Sequence, residues 1–192
     1  MKRIVIGITG ASGSIYAKRL IEELLKLEVE LHVVATETAE KVFAYELDLD
    51  FRAYMAELKE QYHQLILEEN TNLFAGVASG SYGFDAMIVA PCSMGTLSEI
   101  ACGLSKTLLV RAADVALKEK RPLVLVPRET PLNEIHLENM LKLARMNASI
   151  LPAMPGFYHK PKALEEAVDF VVGKILDHLG IDHELYQKWT SH

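Results

Sequence analysis

Cysteine is scarce in this sequence. Patterns typical of membrane-spanning, secreted and nucleic-acid-binding proteins are also missing. Cys92 and Cys102 are its two cysteines, which predicts reduced thiols and favours a cytoplasmic protein. No window reaches the ~18 uncharged apolar residues of a membrane span. Lys2-Arg3 is followed by a glycine turn instead of the apolar core of a signal peptide. There is no basic block and the net charge is −6, so nucleic acid is not an expected partner.

Half of the 192 residues are hydrophobic and 24% are charged, a balance that predicts one folded domain with a sizeable core. We expect this domain to span residues 1–180. The remaining segment, 181–192, is polar but contains Tyr186 and Trp189, which makes it too aromatic for a plain disordered end. We therefore expect this tail to dock, with a neighbouring subunit as the candidate surface.

Short apolar runs alternate with helical patterns along the chain. The runs predict six strands, at 3–8, 30–35, 64–67, 86–90, 122–126 and 148–151. Apolar residues at helical spacing predict helices at 15–26, 37–45, 51–61, 95–101, 107–120, 132–145 and 162–179. The alternation predicts an α/β protein: a single Rossmann-like, three-layer domain with a six-stranded parallel sheet. Right-handed crossovers and a glycine turn after the first strand favour the strand order 3-2-1-4-5-6.

The turn after the first predicted strand is the most informative segment. Gly10-Ala11-Ser12-Gly13 joins a buried strand to a helix, and such a turn offers backbone N–H groups to an anion at the positive end of the helix dipole. It is not a P-loop, because no Gly-Lys-Ser/Thr follows it. Its glycines come closer to the TGxxGxG of short-chain NADP dehydrogenases. A turn that is glycine-rich for steric reasons alone is the alternative.

Ligands of such a sheet bind beyond the carboxyl ends of its strands, where further polar segments lie. Ser93 and Thr96 supply hydroxyls after the fourth strand, and Gly95 between them lets a ligand approach the backbone. A plain helix N-cap by Ser93 is the alternative. After the fifth strand, Arg128 offers a planar donor fork suited to phosphate and Glu129 can handle protons, with a surface ion pair as the alternative.

Other residues invite functional interpretations that the pattern does not favour. His136 has Met140 at the i+4 position where a second metal ligand would stand, so we predict no metal site. Cys92 has no paired base nearby and is expected to be a small buried residue. Tyr158 follows the last predicted strand and can face the site. On its spacing alone, Lys174 is a solvated lysine of the last helix.

Four segments, taken in order, resemble the flavin prenyltransferases of the UbiX type. They read GITGASGSIYAKRL, APCSMGTLSEIACG, VRAADVALKEKRPLVLVPRETPLNEIHLENMLKL and PAMPGFYHKPKALEEAVDFVVGKILDHLGI, and they extend from near the start of the chain to residue 181. The resemblance implies a subunit of a dodecamer that binds FMN at subunit contacts. It implies that dimethylallyl phosphate alkylates reduced FMN at N5 and C6, building a fourth ring without a metal. The prenylated FMN would serve a separate UbiD-type decarboxylase.

The resemblance also implies roles for individual residues. The positions matching FMN-binding residues are Gly10, Ala11, Ser12, Thr36, Ser93, Met94, Gly95, Thr96 and Arg128. Those matching contacts to dimethylallyl phosphate are Tyr158 and Lys174, with Arg111 and Lys118 as helpers around phosphate. Those matching a catalytic network near the reacting flavin edge are Ser12, Glu46 and Glu129. Trp189 matches a tail aromatic that closes the site. The family often has Ser where this chain has Thr36, and the hydroxyl is kept.

The residue types suit that chemistry. Departure of an allylic phosphate needs charge and donors on the leaving group, which Lys174, Arg128 and the Tyr158 hydroxyl can supply. The faces of Tyr158 and Trp189 can shield an allylic cation from water. Ring closure needs proton transfers, for which the two glutamates of the network and the released phosphate are all candidates.

Three other interpretations stay open. A short-chain NADP oxidoreductase would use Tyr-x-x-x-Lys on a helix; Tyr158 and Lys162 have that spacing, but Pro161 between them predicts a loop. A flavin-dependent cysteine decarboxylase or an aromatic-acid decarboxylase shares the fold, although the cysteine decarboxylases carry a PASANT-like motif where this chain has PCSMGTL. A non-enzymatic flavin carrier would leave Tyr158 and Lys174 without a role.

Overall fold

One parallel sheet organises the computed structural model, which describes residues 1–189. Its strands are β1 (Lys2–Ile8), β2 (Val29–Ala35), β3 (Leu65–Glu68), β4 (Ala86–Cys92), β5 (Leu123–Pro127) and β6 (Ser149–Ile150). All neighbouring pairs are parallel, in the order β3-β2-β1-β4-β5-β6. The predicted α/β class and strand order are confirmed, and each strand lies within two residues of its predicted bounds.

Helices cover both faces of the sheet. They are α1 (Ser14–Leu25), α2 (Glu37–Leu47), α3 (Phe51–Gln61), α4 (Met94–Ala101), α5 (Leu108–Lys118), α6 (Glu134–Arg145) and α7 (Leu164–His178). The first three and α7 contribute to one core cluster, and α4, α5 and α6 contribute to the other. A short 3₁₀ turn, Gly76–Ala78, was not predicted. In residues 1–189 no helix combines the length and apolarity needed to cross a membrane.

The alternation of β1 explains the two cores. Ile4, Ile6 and Ile8 face the cluster that contains α1 and α7, whereas Val5 faces the cluster that contains α5. Each is at most 2% exposed, and full burial of such a side chain stabilises the fold by roughly 1.5–3 kcal/mol. A central parallel strand buried on both faces is therefore apolar at nearly every position.

Strand β4 runs two residues beyond its predicted end, through Pro91 to Cys92. Proline is accommodated there because the register with β5 shifts between Val89 and Cys92, so Pro91 lies in an irregularity of the ladder. Thr9, buried after β1, ties the two strand ends together. Its hydroxyl donates to the Pro91 carbonyl at 2.8 Å and accepts from the Ser93 amide at 2.7 Å. These two hydrogen bonds fix the start of α4 beside the Gly10–Gly13 turn.

Candidate active site

An open cleft of about 400 Å³ lies at the carboxyl edge of the sheet, on one side of the Gly10–Gly13 turn. Its lining is formed by Gly10, Thr36, Thr38, Asn70, Ser93, Gly95, Thr96, Glu99 and Thr107. Five of the predicted FMN-binding positions therefore come together here: Gly10, Thr36, Ser93, Gly95 and Thr96. We refer to this space as the first cleft.

Three helices begin at the first cleft. Thr36 caps α2, with its hydroxyl accepting from the Ala39 amide at 3.1 Å, and Ser93 caps α4, accepting from the Thr96 amide at 3.3 Å. Thr107 precedes α5 and makes no side-chain cap. Because each helix directs the positive end of its dipole toward its first turn, the three together favour an anion such as phosphate.

The glycines of the first cleft serve different purposes. A Cβ built on Gly95 would meet nothing within 4 Å, so this position leaves open space at the mouth of α4 that a side chain would fill. A Cβ on Gly10 would lie 2.4 Å from Cγ2 of Thr38. Gly10 is therefore required for close packing of the turn against α2, whereas Gly95 leaves room for a ligand beside donors of the kind a phosphate needs.

A second cleft, of about 370 Å³, lies on the other side of the same turn. Polar and apolar residues share its lining, which consists of Ser12, Gly13, Ile15, Tyr16, Glu46, Leu47, Arg128, Ala153 and Leu164. Two residues of the predicted catalytic network, Ser12 and Glu46, therefore lie together, with Arg128 beside them.

Glu46 caps the N-terminus of α1 from a distance in sequence. Its carboxylate accepts from the amides of Gly13, at 2.9 Å, and Ser14, at 2.8 Å. Gly13 has φ 115°, a left-handed conformation that favours glycine. Burial tends to raise the pKa of Glu46, but hydrogen bonds from the Ser12 hydroxyl and the two amides outweigh it, so the pKa is lowered. The amides that the sequence pattern offers to a ligand anion are thus already bound to a carboxylate of the chain itself.

Arg128 and Glu129 follow β5 and diverge. The Arg128 guanidinium donates from Nε to the Ser12 carbonyl at 3.1 Å, which holds it in the second cleft, and it is not among the residues lining the first. Glu129 is exposed, and its carboxylate accepts from the Thr130 amide at 3.0 Å. A contact to the Gly10–Gly13 turn therefore fixes Arg128 in the second cleft, whereas Glu129 makes its hydrogen bond to the next residue.

The residues predicted to contact dimethylallyl phosphate lie around α7. Tyr158 makes edge-to-face contacts with Phe170, at a centroid distance of 5.7 Å, and with Trp189, at 5.5 Å. Lys174 is exposed, and its Nζ lies 5.9 Å from the ring centroid of Tyr186. Two predicted FMN-binding residues, Ala11 and Met94, are buried, so their side chains pack in the protein interior.

Arg111 and Lys118 do not line either cleft of their own chain. Arg111 donates to the Ala78 carbonyl at 3.0 Å and to Asp114 at 2.8 Å, and Lys118 pairs with Glu119 at 2.8 Å. Lys118 ends α5, roughly 15 Å from the helix start at 1.5 Å per residue. Within one subunit, Lys118 therefore lies a helix length from the first cleft, and the Arg111 guanidinium is bound by Ala78 and Asp114.

Asn70 was not predicted from the sequence. Its side-chain oxygen accepts from the Leu109 amide at 3.0 Å and its carbonyl accepts from Leu108 at 2.8 Å, so it takes the place of a cap on α5 and lines the first cleft. Nothing in the local pattern after β3 identifies it, because the residues that it satisfies lie 38 and 39 positions away. Thr9 was missed for the same reason.

Cys92 and His136 have structural roles in the folded chain. Burial raises the pKa of the Cys92 thiol to about 12, as expected for a small buried residue. His136 completes the N-cap of α6, with Nδ1 accepting from the Asn133 amide at 3.4 Å. Within residues 1–189, no group of three or more His, Cys, Asp or Glu side chains is placed to hold a metal ion.

Comparison with known proteins completes the description of this site. Residues 1–180 match the family model described as Flavoprotein. The flavin prenyltransferase UbiX of Alkalihalophilus pseudofirmus is 53% identical over 192 residues, an alignment that covers 98% of this chain and 96% of the relative. The chain belongs to the UbiX flavin prenyltransferase family. The resemblance noted from the four sequence segments is confirmed.

Solved structures of the family share the whole fold. AnUbiX (PadA1), determined in complex with FMN and dimethylallyl pyrophosphate, has a TM-score of 0.92 and 40% identity, with 100% of this chain and 98% of that chain covered. A dodecameric FMN-dependent UbiX-like decarboxylase from Escherichia coli O157:H7 also has a TM-score of 0.92, with 39% identity and coverage of 98% and 100%. Both clefts therefore lie in a fold that the family shares over its full length.

Proposed function

We propose that this chain is a flavin prenyltransferase, which transfers the dimethylallyl group of dimethylallyl phosphate to N5 and C6 of reduced FMN. The observation that carries the proposal is the pair of clefts on either side of the Gly10–Gly13 turn. One presents three helix N-termini to a phosphate, and the other combines apolar walls with a carboxylate, a hydroxyl and a guanidinium. Family membership supplies the reaction, and the clefts supply its two binding environments.

In this proposal the first cleft holds the phosphate of FMN. The hydroxyls of Thr36, Ser93 and Thr96 and the amides at the start of α4 are its donors. Gly95 leaves the space that the phosphate needs. Three aligned helix dipoles lower the free energy of a dianion at this point without requiring a lysine or arginine in the cleft.

The second cleft is assigned to the reaction. When bound, reduced FMN would supply N5 as the nucleophile that displaces inorganic phosphate from the allylic carbon, with loss of the N5 proton. Ring closure would then join C6 to the other end of the allyl group, the alkene gaining one proton and C6 losing one. Arg128 and, from the α7 side, Tyr158 and Lys174 stabilise the charge on that phosphate. Glu46 stays ionised because hydrogen bonds from Ser12, Gly13 and Ser14 lower the pKa of its carboxyl group. It orients the Ser12 hydroxyl and accepts protons, with Glu129 as the second candidate for proton transfer.

We further propose a closed homo-oligomer, a dodecamer, with FMN at subunit contacts. Arg111 and Lys118 then serve the site of a neighbouring subunit, since neither lines a cleft of its own chain. Large apolar side chains are exposed at Phe74, which is fully accessible, and at Ile135 and Leu141 on α6. An assembly would bury them, and a relative of 39% identity is described as dodecameric.

Two further parts of the proposal concern the cellular setting. The prenylated FMN is passed to a UbiD-type decarboxylase, which consumes it. A cytoplasmic location is supported by the two cysteines, both of which are free thiols. The reaction needs no divalent metal, because the groups assigned to the leaving phosphate are cationic or phenolic.

The competing activities fit the site less well. A short-chain oxidoreductase needs Tyr158 and Lys162 on one helical face, but α7 begins only at Leu164 and both residues precede it. Decarboxylation is named for a relative, yet it leaves Tyr158 and Lys174 without a role. These arguments favour prenyl transfer.

The experiment is an anaerobic incubation of the protein with reduced FMN and dimethylallyl phosphate in EDTA, followed by mass spectrometry of the flavin. We expect a flavin heavier by one isoprene unit. The pyrophosphate ester run in parallel determines which ester is used. Tight NADP binding without flavin affinity, decarboxylation of aromatic acids without prenylation, or a requirement for magnesium would each contradict the proposal.

A further inference from the structure

The segment after α7 folds back along that helix toward the carboxyl edge of the sheet. His183 and Tyr186 lie against Gly173, and Tyr186 packs on Phe170 at a centroid distance of 5.0 Å. Trp189 then lies 5.5 Å from Tyr158. The segment thus contacts α7 from Asp177 back to Phe170, and its last described residue reaches the loop that precedes α7. We call residues 182–189 the return segment.

One carboxylate of α7, that of Asp177, contacts three residues of the return segment, of which His183 is the most distant, with Nε2 3.4 Å from Oδ1. Asp177 accepts a hydrogen bond from the Tyr186 hydroxyl and pairs with Lys188 Nζ at 2.7 Å. Burial disfavours the charged form of Asp177, but hydrogen bonds from Lys188 and Tyr186, with the charge of Lys188, outweigh it and lower the pKa to about 2. Asp177 is therefore ionised throughout the neutral range. Because Lys188 immediately precedes Trp189, this contact limits where the indole can lie.

Gly173 makes the attachment possible. It is buried in the middle of α7, where glycine is unfavourable for a helix, and its backbone conformation does not require glycine. A Cβ at this position would lie 2.6 Å from Cδ1 of Tyr186 and 2.7 Å from Cε1 of His183. Because Gly173 has no side chain, Tyr186 and His183 of the return segment can pack directly against α7.

The aromatic contacts lead from the attachment to the proposed substrate residue. Phe170 contacts Tyr186 on one side, and His159 stacks on it with an interplanar angle of 2°. Tyr158 contacts both Phe170 and Trp189. The Tyr158 ring is therefore placed between a helix residue and a residue of the return segment, and movement of Trp189 removes one of its supports.

We propose that Asp177 is a positioning residue, which fastens the return segment to α7 and so holds Trp189 against Tyr158 where the dimethylallyl group binds. Gly173 is the space this attachment requires. The inference rests on the proposed role of Tyr158 in binding dimethylallyl phosphate. It concerns the prenyl end of the site only, so FMN binding in the first cleft should not depend on Asp177.

The test uses the fact that Trp189 is the single tryptophan of the chain. In the intact oligomer without ligand, Asp177→Asn should lower the anisotropy of tryptophan fluorescence and increase its quenching by acrylamide. Titration of dimethylallyl phosphate should show an affinity about five- to tenfold lower, as expected for loss of one or two net hydrogen bonds. The FMN affinity of the variant should stay within about twofold of the wild-type value, because the first cleft is unchanged. A tenfold change would correspond to about 1.4 kcal/mol.

A second variant separates attachment from general damage to the fold. Gly173→Ala improves the helix propensity of α7 but displaces Tyr186, so it should loosen Trp189 and weaken dimethylallyl phosphate while the protein remains folded. Glu184→Gln is the matched control, because this carboxylate is exposed on the same segment and makes none of the Asp177 contacts. It should change neither fluorescence nor affinity.

Two results would overturn the inference. Unchanged anisotropy in Asp177→Asn would show that something else, such as a neighbouring subunit, holds the tryptophan. A loosened Trp189 with unaltered dimethylallyl phosphate affinity would show that the attachment does not position the site. A wild-type protein that binds no dimethylallyl phosphate would instead overturn the proposed function, and the anisotropy comparison would then decide the attachment alone.

Discussion

The two clefts on either side of the Gly10–Gly13 turn differ in how the helices that begin there are satisfied. In the first cleft, α2, α4 and α5 begin around open space, and their caps are neutral: the hydroxyls of Thr36 and Ser93 and the side chain of Asn70. In the second, α1 presents its N-terminus to Glu46, whose carboxylate already binds the Gly13 and Ser14 amides. The same strand, turn and helix can therefore form an anion site for a ligand or be closed by a residue 33 positions away.

Because of this difference, the two clefts suit different chemical tasks. Helix N-termini that carry only neutral caps keep a positive potential, which lowers the free energy of a bound phosphate and suits the anchoring end of a nucleotide. A fixed carboxylate in the second cleft repels a phosphate placed on the same amides, but it can orient a hydroxyl and accept protons beside an apolar wall. The comparison thus predicts that flavin anchoring and prenyl transfer can be impaired separately, and the following variants test that separation.

Glu46→Gln should give the largest effect, on the reaction itself. The amide side chain can still accept a hydrogen bond from the α1 amides, but it cannot act as a base. We expect prenyl transfer to fall by about 10²-fold or more, the usual contribution of a positioned acid or base, with little change in FMN affinity. Single-turnover formation of prenylated FMN, measured beside an FMN titration, checks this. A loss of FMN binding as large as the loss of rate would remove the distinction between the clefts.

Gly95→Leu should act on the other cleft. The new side chain would enter open space at the start of α4, so the fold should tolerate it while the phosphate position is filled. We expect FMN affinity to fall by more than tenfold, a loss above 1.4 kcal/mol, with an unchanged melting temperature. Gly10→Leu is the contrast, because its Cβ would already overlap Thr38 and should destabilise the protein. Tight FMN binding by Gly95→Leu would show that the phosphate lies elsewhere.

Lys174→Ala and Tyr158→Phe test the proposed binding of the prenyl phosphate. Lys174 is exposed, so its loss should change the free energy of unfolding by no more than about 0.5 kcal/mol. If its ammonium meets the prenyl phosphate, a charge-assisted contact of ~1.5–3 kcal/mol is lost and affinity for dimethylallyl phosphate falls roughly tenfold or more. Tyr158→Phe should weaken the same substrate by removing only a hydroxyl. Loss of FMN affinity with intact dimethylallyl phosphate binding would mean that the two phosphate sites are assigned the wrong way round.

The parts of this arrangement that depend on local sequence could be predicted. The parts that depend on contacts between distant residues could not. Strands β1 and β4 and their turns are specified by local apolar runs, glycines and capping hydroxyls, so the position of Ser93 and Thr96 at the sheet edge was predictable. The role of Glu46 in closing α1 and of Asn70 in capping α5 was not, because each satisfies amides far away in sequence. Arg128 and Ser12 were both predicted among the FMN-binding residues, but the contact between them could not be predicted because it is made across 116 positions.

Ser93→Ala and Ser12→Ala should separate the two clefts with smaller effects. Ser93 accepts from the Thr96 amide and donates to the Thr96 hydroxyl in the first cleft, so its removal should weaken FMN by about 0.5–1.5 kcal/mol. Ser12 bonds Glu46 in the second cleft, so its removal should slow prenyl transfer and leave FMN affinity nearly unchanged. Calorimetric FMN titration and product formation, measured on both variants and the double mutant, check this. Equal losses of FMN affinity in the two single variants would contradict the division.

The smallest expected effect is the pH dependence of stability that Glu46 contributes. Hydrogen bonds to its carboxylate lower its pKa in the folded protein below the ordinary value, so the stabilising contribution is fully present above the unfolded-state pKa. It is lost as the pH falls through the lowered folded pKa, when the carboxylate is protonated and its bonds to the Gly13 and Ser14 amides weaken. Urea unfolding of the wild type and Glu46→Gln should therefore give a stability difference that is constant near neutral pH and shrinks in acid. Glu184→Gln, which removes an exposed carboxylate that caps no helix, is the control. A difference between wild type and Glu46→Gln that stays constant down to the acid limit would mean that the α1 N-terminus is not closed by this charge, and the contrast between the two clefts would lose its cause.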